Sequence, residues 1–209
     1  GTIQNTTNRG VTITSAINIR LTNMNFTNAG TVDLAANNSD LSTGHATVGG
    51  NTNASIHLQS VTTAILENLN ISGGAEQGIY GHTVANFVLS NSSIANAGNA
   101  PDEDGIHFFN MSGSSAITNS TINASGDDNL NLQTTAGNLD LVISGGSCTN
   151  AGASGYLFGI RGTNVANISI ENASSTNHFS GGIVADAFEN STMNLRVINS
   201  TSTGNNDQL

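Results

Sequence analysis

One segment, repeated along its length, limits what this chain can fold into more than any other feature. "LSNSSIANAG" at Leu89–Gly98 recurs as "LTNMNFTNAG" at Leu21–Gly30, "LENLNISGG" at Leu66–Gly74 and "ITNSTINASG" at Ile117–Gly126. Set in register, seven copies begin at Leu21, Leu66, Leu89, Ile117, Ile143, Ile170 and Val197. Two residues on, six of the seven carry Asn (Asn23, Asn68, Asn91, Asn119, Asn172 and Asn199), and Gly145 replaces it in the fifth. Three residues further stand Phe26, Ile71, Ile94, Ile122, Cys148, Ser175 and Ser202. The lone cysteine falls in an apolar column and reads as a small buried hydrophobe. It also leaves no intramolecular disulfide, so packing and hydrogen bonds must hold the fold.

A second column precedes the first in each unit, led by Ile56, Ile79, Ile106, Leu130, Ile160 and Ile183, at spacings of 23, 27, 24, 30 and 23 residues. Residues two further on (Leu58, Gly81, Phe108, Leu132, Gly162 and Ala185) are again apolar or small, a period of two that marks β-strand. No apolar set recurs with helical spacing, and Gly and Asn are poor helix formers. Units too small to bury a core alone must stack, so the expectation is an all-β solenoid, a parallel β-helix of about seven rungs. Residues 51–209 carry the regular repeats and 1–50 less regular N-terminal rungs of the same single domain. The Asn column is expected as an internal amide ladder at a turn. Neither end shows a recognisable capping repeat, which predicts an excised piece or a chain with atypical caps, open to end-to-end or edge association.

Composition narrows the partners. The net charge is −10, and Arg9, Arg20, Arg161 and Arg196 are the only Lys or Arg side chains, too few and too dispersed for nucleic acid. No apolar run reaches the roughly 18 residues that a membrane helix needs. Thirteen Asn-x-Ser/Thr sequons follow from the Asn-rich and Ser/Thr-rich repeat itself.

Read this way, "GIYGHTVANFVLSNSSIANAG" and "GIHFFNMSGSSAITNSTINASG" resemble the repeat of the right-handed parallel β-helix, or pectin-lyase-like, superfamily. The Asn/Ser/Thr-rich, charge-poor tone is similar to β-strand-repeat regions of large bacterial surface and secreted proteins. The resemblance implies a right-handed, single-stranded helix, but the superfamily spans lyases, hydrolases, adhesins and passive stalks, so function must come from sites.

Alternation places the residues after each Ile outside the helix: His57, Tyr80, His107, Asn131, Arg161 and Val184 in one stripe, and Gln59, His82, Phe109, Gln133, Thr163 and Asp186 beside it. Tyr80, His82, His107, Phe109, Asn131 and Arg161 are the candidate sugar-contacting surface, since rings stack on pyranose faces and amides bond hydroxyls. "PDEDGIHF" and "SGDDNLNL" bring Asp102, Asp104, Asp127 and Asp128 onto neighbouring rungs about 5 Å apart. Carboxylates that close repel unless protonated or bridged, and with no Lys in the chain Ca²⁺ is the expected partner. The same aspartates resemble those of polygalacturonase-like glycosidases, which implies Asp104, Asp127 and Asp128 as catalytic carboxylates with Arg161 as the cation. Such enzymes then carry Gly-His-Gly and Arg-x-Lys; here those rungs read "SGYLFGIRG" and "GGIVADA". His45 and His178 stand in loops without a zinc signature.

Three readings stand open. The first is an adhesin-like or stalk module of a bacterial surface or secreted protein, contacting carbohydrate outside the cell. The second is a polysaccharide lyase or hydrolase, active or degenerate. The third is a passive spacer.

Overall fold

Each repeat copy is a short extended segment bounded by residues that turn the chain. The computed structural model describes residues 1–34 and 52–206 and stacks these segments in parallel register, with no helix among the described residues. About seven turns form, and each turn has three faces. The third face is an eight-stranded sheet that runs from Thr2–Thr6 through Ser93–Ala95 to Thr201–Thr203. The first and second faces share an eleven-stranded sheet. In three rungs one long strand (Ile56–Glu67, Ile79–Ser90 or Ile106–Thr118) covers both faces. In the later rungs two strands do so, as in Leu130–Thr134 with Leu139–Ser144. The long strands bend at pairs of residues in the left-handed region, Ser60 and Thr63, Thr83 and Asn86, Asn110 and Gly113.

Inward side chains form one continuous column. Phe26, Ile71, Ile94, Ile122 and Cys148 align rung upon rung on the third face, and Cys148 is buried, its thiol pushed up to about 12 by burial. On the first face Ile56, Ile79, Ile106 and Leu130 align as expected, but the next rung enters at Tyr156, four residues before Ile160. True spacings along this column are therefore 23, 27, 24, 26 and 27 residues. "GYLFGI" offers two Gly-apolar starts, and packing selects the first. A Cβ on Gly155 would sit 2.1 Å from Ser175 Oγ and 2.6 Å from Gly182 O, so only glycine fits there. Ile160 pairs instead with Thr134 and Ala187.

The Asn column is present but turned outward. Asn23, Asn68, Asn91, Asn119, Asn172 and Asn199 are all exposed. Each is in the left-handed region, from φ 47° at Asn199 to 55° at Asn23, and Gly145 joins them at 69°. Five residues on, Asn28, Gly73, Asn96, Ala124, Asn150, Asn177 and Gly204 repeat the conformation. The two columns are the corners on either side of the third-face strand, and Asn is used because it tolerates positive φ. The internal ladder beside the first corner is made by serine: Leu69 N–H donates to Ser92 Oγ (3.0 Å) and Ser92 N–H to Ser120 Oγ (3.2 Å). Among the described residues one amide-to-amide link joins the Asn column, from Asn68 Nδ2 to Asn23 Oδ1 at 3.2 Å.

This sets a stability expectation. Asn119→Ala should lower stability by about 1 kcal/mol, the strain of holding alanine at positive φ, while Asn119→Gly should melt close to wild type. Ala124→Gly, at φ 55°, should raise the melting temperature. Thermal melts of the three variants check the set.

Candidate functional site

The loops that enter the first face bring the acidic residues together. Asp104 and Asp128 hold the same position, two residues before Ile106 and Leu130, and the ladder runs through them: Gly78 N–H donates to Asp104 O and Gly105 N–H to Asp128 O. Carboxylate oxygens of Asp104, Asp127 and Asp128 all lie within 4.8 Å of one another. Asp102, the fourth expected ligand, stands outside this trio, with Oδ2 buried and without a hydrogen-bond partner.

These carboxylates serve the backbone. Asp104 Oδ1 accepts from Asp128 N–H (2.9 Å), and Asp128 Oδ1 accepts from Ser154 N–H (2.7 Å), so each clamps the same loop position one rung on. Asp104 Oδ2 accepts from His107 Nδ1 (2.5 Å), Asp128 Oδ2 from Asn131 Nδ2 (3.2 Å) and Asp127 Oδ2 from Asp102 N–H (2.9 Å). Five of the six oxygens thus face protein donors. A calcium ion needs six to eight oxygens turned toward it, and here it would share these oxygens with the protein donors that already hold them. Burial, with the charges of Asp104 and Asp127 added, holds Asp128 well above the usual carboxylate range.

A second acidic group, Asp33, Glu76 and Glu103, lies on the same side of the stack. Glu76 accepts from Leu34 N–H (2.6 Å) and Thr52 Oγ1 (2.9 Å), and Glu103 from Asn99 and Ala100 N–H. Burial raises both glutamates and Asp102. The sequence reading missed this group, although Glu76 and Glu103 each stand three residues before a column Ile.

The ring stripe is assembled but covered. His57, Tyr80 and His107 stack at 5.2 and 5.6 Å, and Asn131 pairs next to His107. Yet His57, Tyr80, His107 and Asn131 are only 1, 4, 0 and 3 % exposed. Alternation fixes the side on which a side chain leaves the strand, and it carries no information about what packs on that side. His82 and Phe109, with rings 5.4 Å apart, are half-buried. The shifted register replaces Arg161 with Leu157 beside Asn131, and Thr163 with Gly159 beside Gln133. Arg161 turns the corner after Ile160 and packs its guanidinium 4.2 Å from the centre of the Phe188 ring. The cation that the glycosidase resemblance implied is therefore out of register with Asn131 on the first face.

No family model, curated protein or solved structure matches the chain.

Ser175 and His178 have the spacing of a nucleophile and its base, but their polarity is reversed. Ala151 N–H donates to His178 Nδ1 (3.1 Å), so the ring hydrogen sits on Nε2 and points at Ser175 Oγ (2.9 Å). The hydroxyl then donates to Gly182 O (2.6 Å). The pair pins three rungs together and has no base to offer. His45 lies outside the described residues.

Burial lowers the His178 pKa below its ordinary 6.5. The unfolded chain therefore takes up this proton first. The stability linked to it is complete above pH 6.5 and is lost as pH falls toward the lowered folded value. The raised carboxylates act in the opposite direction: their contribution is present in acid and is lost as pH rises through their raised values. The His178 share therefore shows in a difference. His178→Gln, which keeps an acceptor and a donor but cannot ionise, should lose less stability than wild type between pH 7 and pH 5. Parallel melting profiles for the two proteins would refute this account of the pin.

Proposed function

We propose that this chain is a rigid module of a secreted or cell-surface bacterial protein, an adhesin-like stalk that contacts carbohydrate with an outer sheet face. The observation that carries the reading is where the reactive side chains are used. Asp104, His107, Asp128 and His178 are buried and bonded into the joints between rungs, as a load-resisting rod requires. The likeness of the repeats to the pectin-lyase-like superfamily, and of the composition to bacterial surface repeats, supports the same reading.

The polysaccharide-degrading reading keeps one specific observation, the convergence of Asp104, Asp127 and Asp128. Against it, Ser154–Gly155–Tyr156 and Ile183–Val184–Ala185 occupy the rungs where the resembling enzymes carry His and Lys. A panel of immobilised glycans separates the readings. Retention of the chain with no release of reducing ends or unsaturated products supports the stalk-adhesin. Turnover of any glycan overturns it in favour of the enzyme, and neither retention nor turnover overturns it in favour of a passive spacer.

A further inference from the structure

The face that the sequence pointed to is covered, but the second face carries an open groove of about 420 Å³ across the last three rungs. Its long wall is a ladder of outward side chains in register, Asp140, Asn167 and Asn194. Asn167 Nδ2 donates to Asp140 Oδ1 (2.7 Å), and Asn194 Nδ2 donates to Asn167 Oδ1 (2.7 Å). Each amide keeps its second Nδ2 hydrogen, and Asn194 Oδ1 and Asp140 Oδ2 stay open to a ligand. Val142, 42 % exposed, gives the groove an apolar patch. The opposite side carries Glu171, held by Ser169 Oγ at 2.7 Å, and Arg196, whose side chain is 73 % exposed and only 4.0 Å from Glu171 at its closest.

We infer that this groove binds an uncharged, hydroxyl-rich glycan chain lying along the solenoid axis, the sugar class that the carbohydrate-contacting reading above leaves unspecified and on which this inference rests. The rungs repeat about every 4.8 Å, close to the advance of one β-linked pyranose residue, so each sugar lies beside one rung, and alternate sugars of a β-1,4 chain, which turns over at every link, present the same edge to the amides. Side-chain amides and a carboxylate present the mixed donors and acceptors that hydroxyls need, and Val142 offers a surface for the apolar face of a ring. Two carboxylates against one arginine in the groove, on a chain of net charge −10, disfavour a polyanionic glycan.

The test uses calorimetric or fluorescence titration with cellopentaose and chitopentaose as neutral probes and a galacturonate pentamer as the anionic one. Asn167→Ala/Asn194→Ala removes two exposed amides without touching the core, so the variant should fold as wild type and lose at least tenfold in affinity for a neutral probe. His82→Ala/Phe109→Ala, on the first face, should leave that affinity unchanged, and moderate salt should have little effect. Loss in the first-face variant but not in the groove variant would overturn the placement while leaving the carbohydrate reading intact. Tighter, salt-sensitive binding of the galacturonate pentamer would overturn the neutral class. If wild type binds none of the three probes but is retained on another glycan, this inference fails alone. If it binds no glycan at all, the underlying reading fails with it.

Discussion

Asp104→Ala should be among the most damaging single changes in this protein, lowering stability by about 3–5 kcal/mol, the usual result of breaking a buried, hydrogen-bonded pair from one side. Asp104 is fully buried, and its two oxygens hold Asp128 N–H and the His107 ring. Alanine leaves both donors in the interior with nothing to accept them, each costing about 1–3 kcal/mol. It also removes the clamp between two neighbouring rungs, and a stacked repeat transmits stability only through such joints. Asp104→Asn keeps an oxygen for Asp128 N–H and should be markedly milder, because the imidazole can present a bare nitrogen to the new amide. The pair distinguishes a structural clamp from a catalytic acid. A clamp gives a large Ala effect and a small Asn effect on melting, whereas a catalytic carboxylate gives equal loss of turnover for both. Amide hydrogen exchange supplies the local readout, with faster exchange at Asp128 and Ser154 expected in Asp104→Ala. An Ala variant that melts like wild type would remove the clamp, and with it the main support for the stalk reading.

The extent to which the fold was legible follows from what a repeat encodes. Side chains that point inward must agree from rung to rung, so the column from Phe26 to Cys148 could be read directly, and it explained the cysteine. Corners are legible too, because few residues tolerate positive φ, but the sequence reading gave Asn119 and its relatives the wrong reason for being there. Their side chains face solvent, and the backbone is what asparagine serves. The true ladder was visible one residue on, where Ser92, Ser120 and Ser200 each follow a corner Asn. The register slip at Tyr156 arose because an apolar residue after glycine occurs twice within five positions, and only the contacts of Gly155 with the next rung separate the two. It displaced Arg161 from the proposed sugar face and so weakened the enzyme reading as well. Burial of Tyr80 and His107 was not legible at all, since no periodicity within a strand reports what lies across it. The groove on the second face had a faint signal, Asp140, Asn167 and Asn194 each standing three residues before a column residue.

Phe108→Ala should cost about 3–5 kcal/mol, and its size should depend on Gly81. Leu58, Gly81, Phe108 and Leu132 are stacked neighbours on the first face, and in place of another side chain the glycine leaves room into which the Phe108 ring leans. A Cβ on Gly81 would lie 2.1 Å from Phe108 Cε1, and the ring also packs on Phe87, centre to centre at 4.6 Å. Gly81→Leu alone overfills this layer and should lose about 1–3 kcal/mol or fail to fold. In Phe108→Ala the same leucine enters the vacated volume, restoring the aliphatic column that Leu58 and Leu132 already set. The double variant should therefore be more stable than Phe108→Ala alone, a coupling of about 2 kcal/mol in a double-mutant cycle. Additive losses would mean that the ring and the glycine do not share one space. Gly81→Ala keeps the test usable if Gly81→Leu does not fold, because its smaller clash should also be relieved when Phe108 is truncated. The cycle bears on function only through stiffness: a rung pair locked by interlocking volumes cannot shear, and shear resistance is what a stalk built from this repeat has to supply.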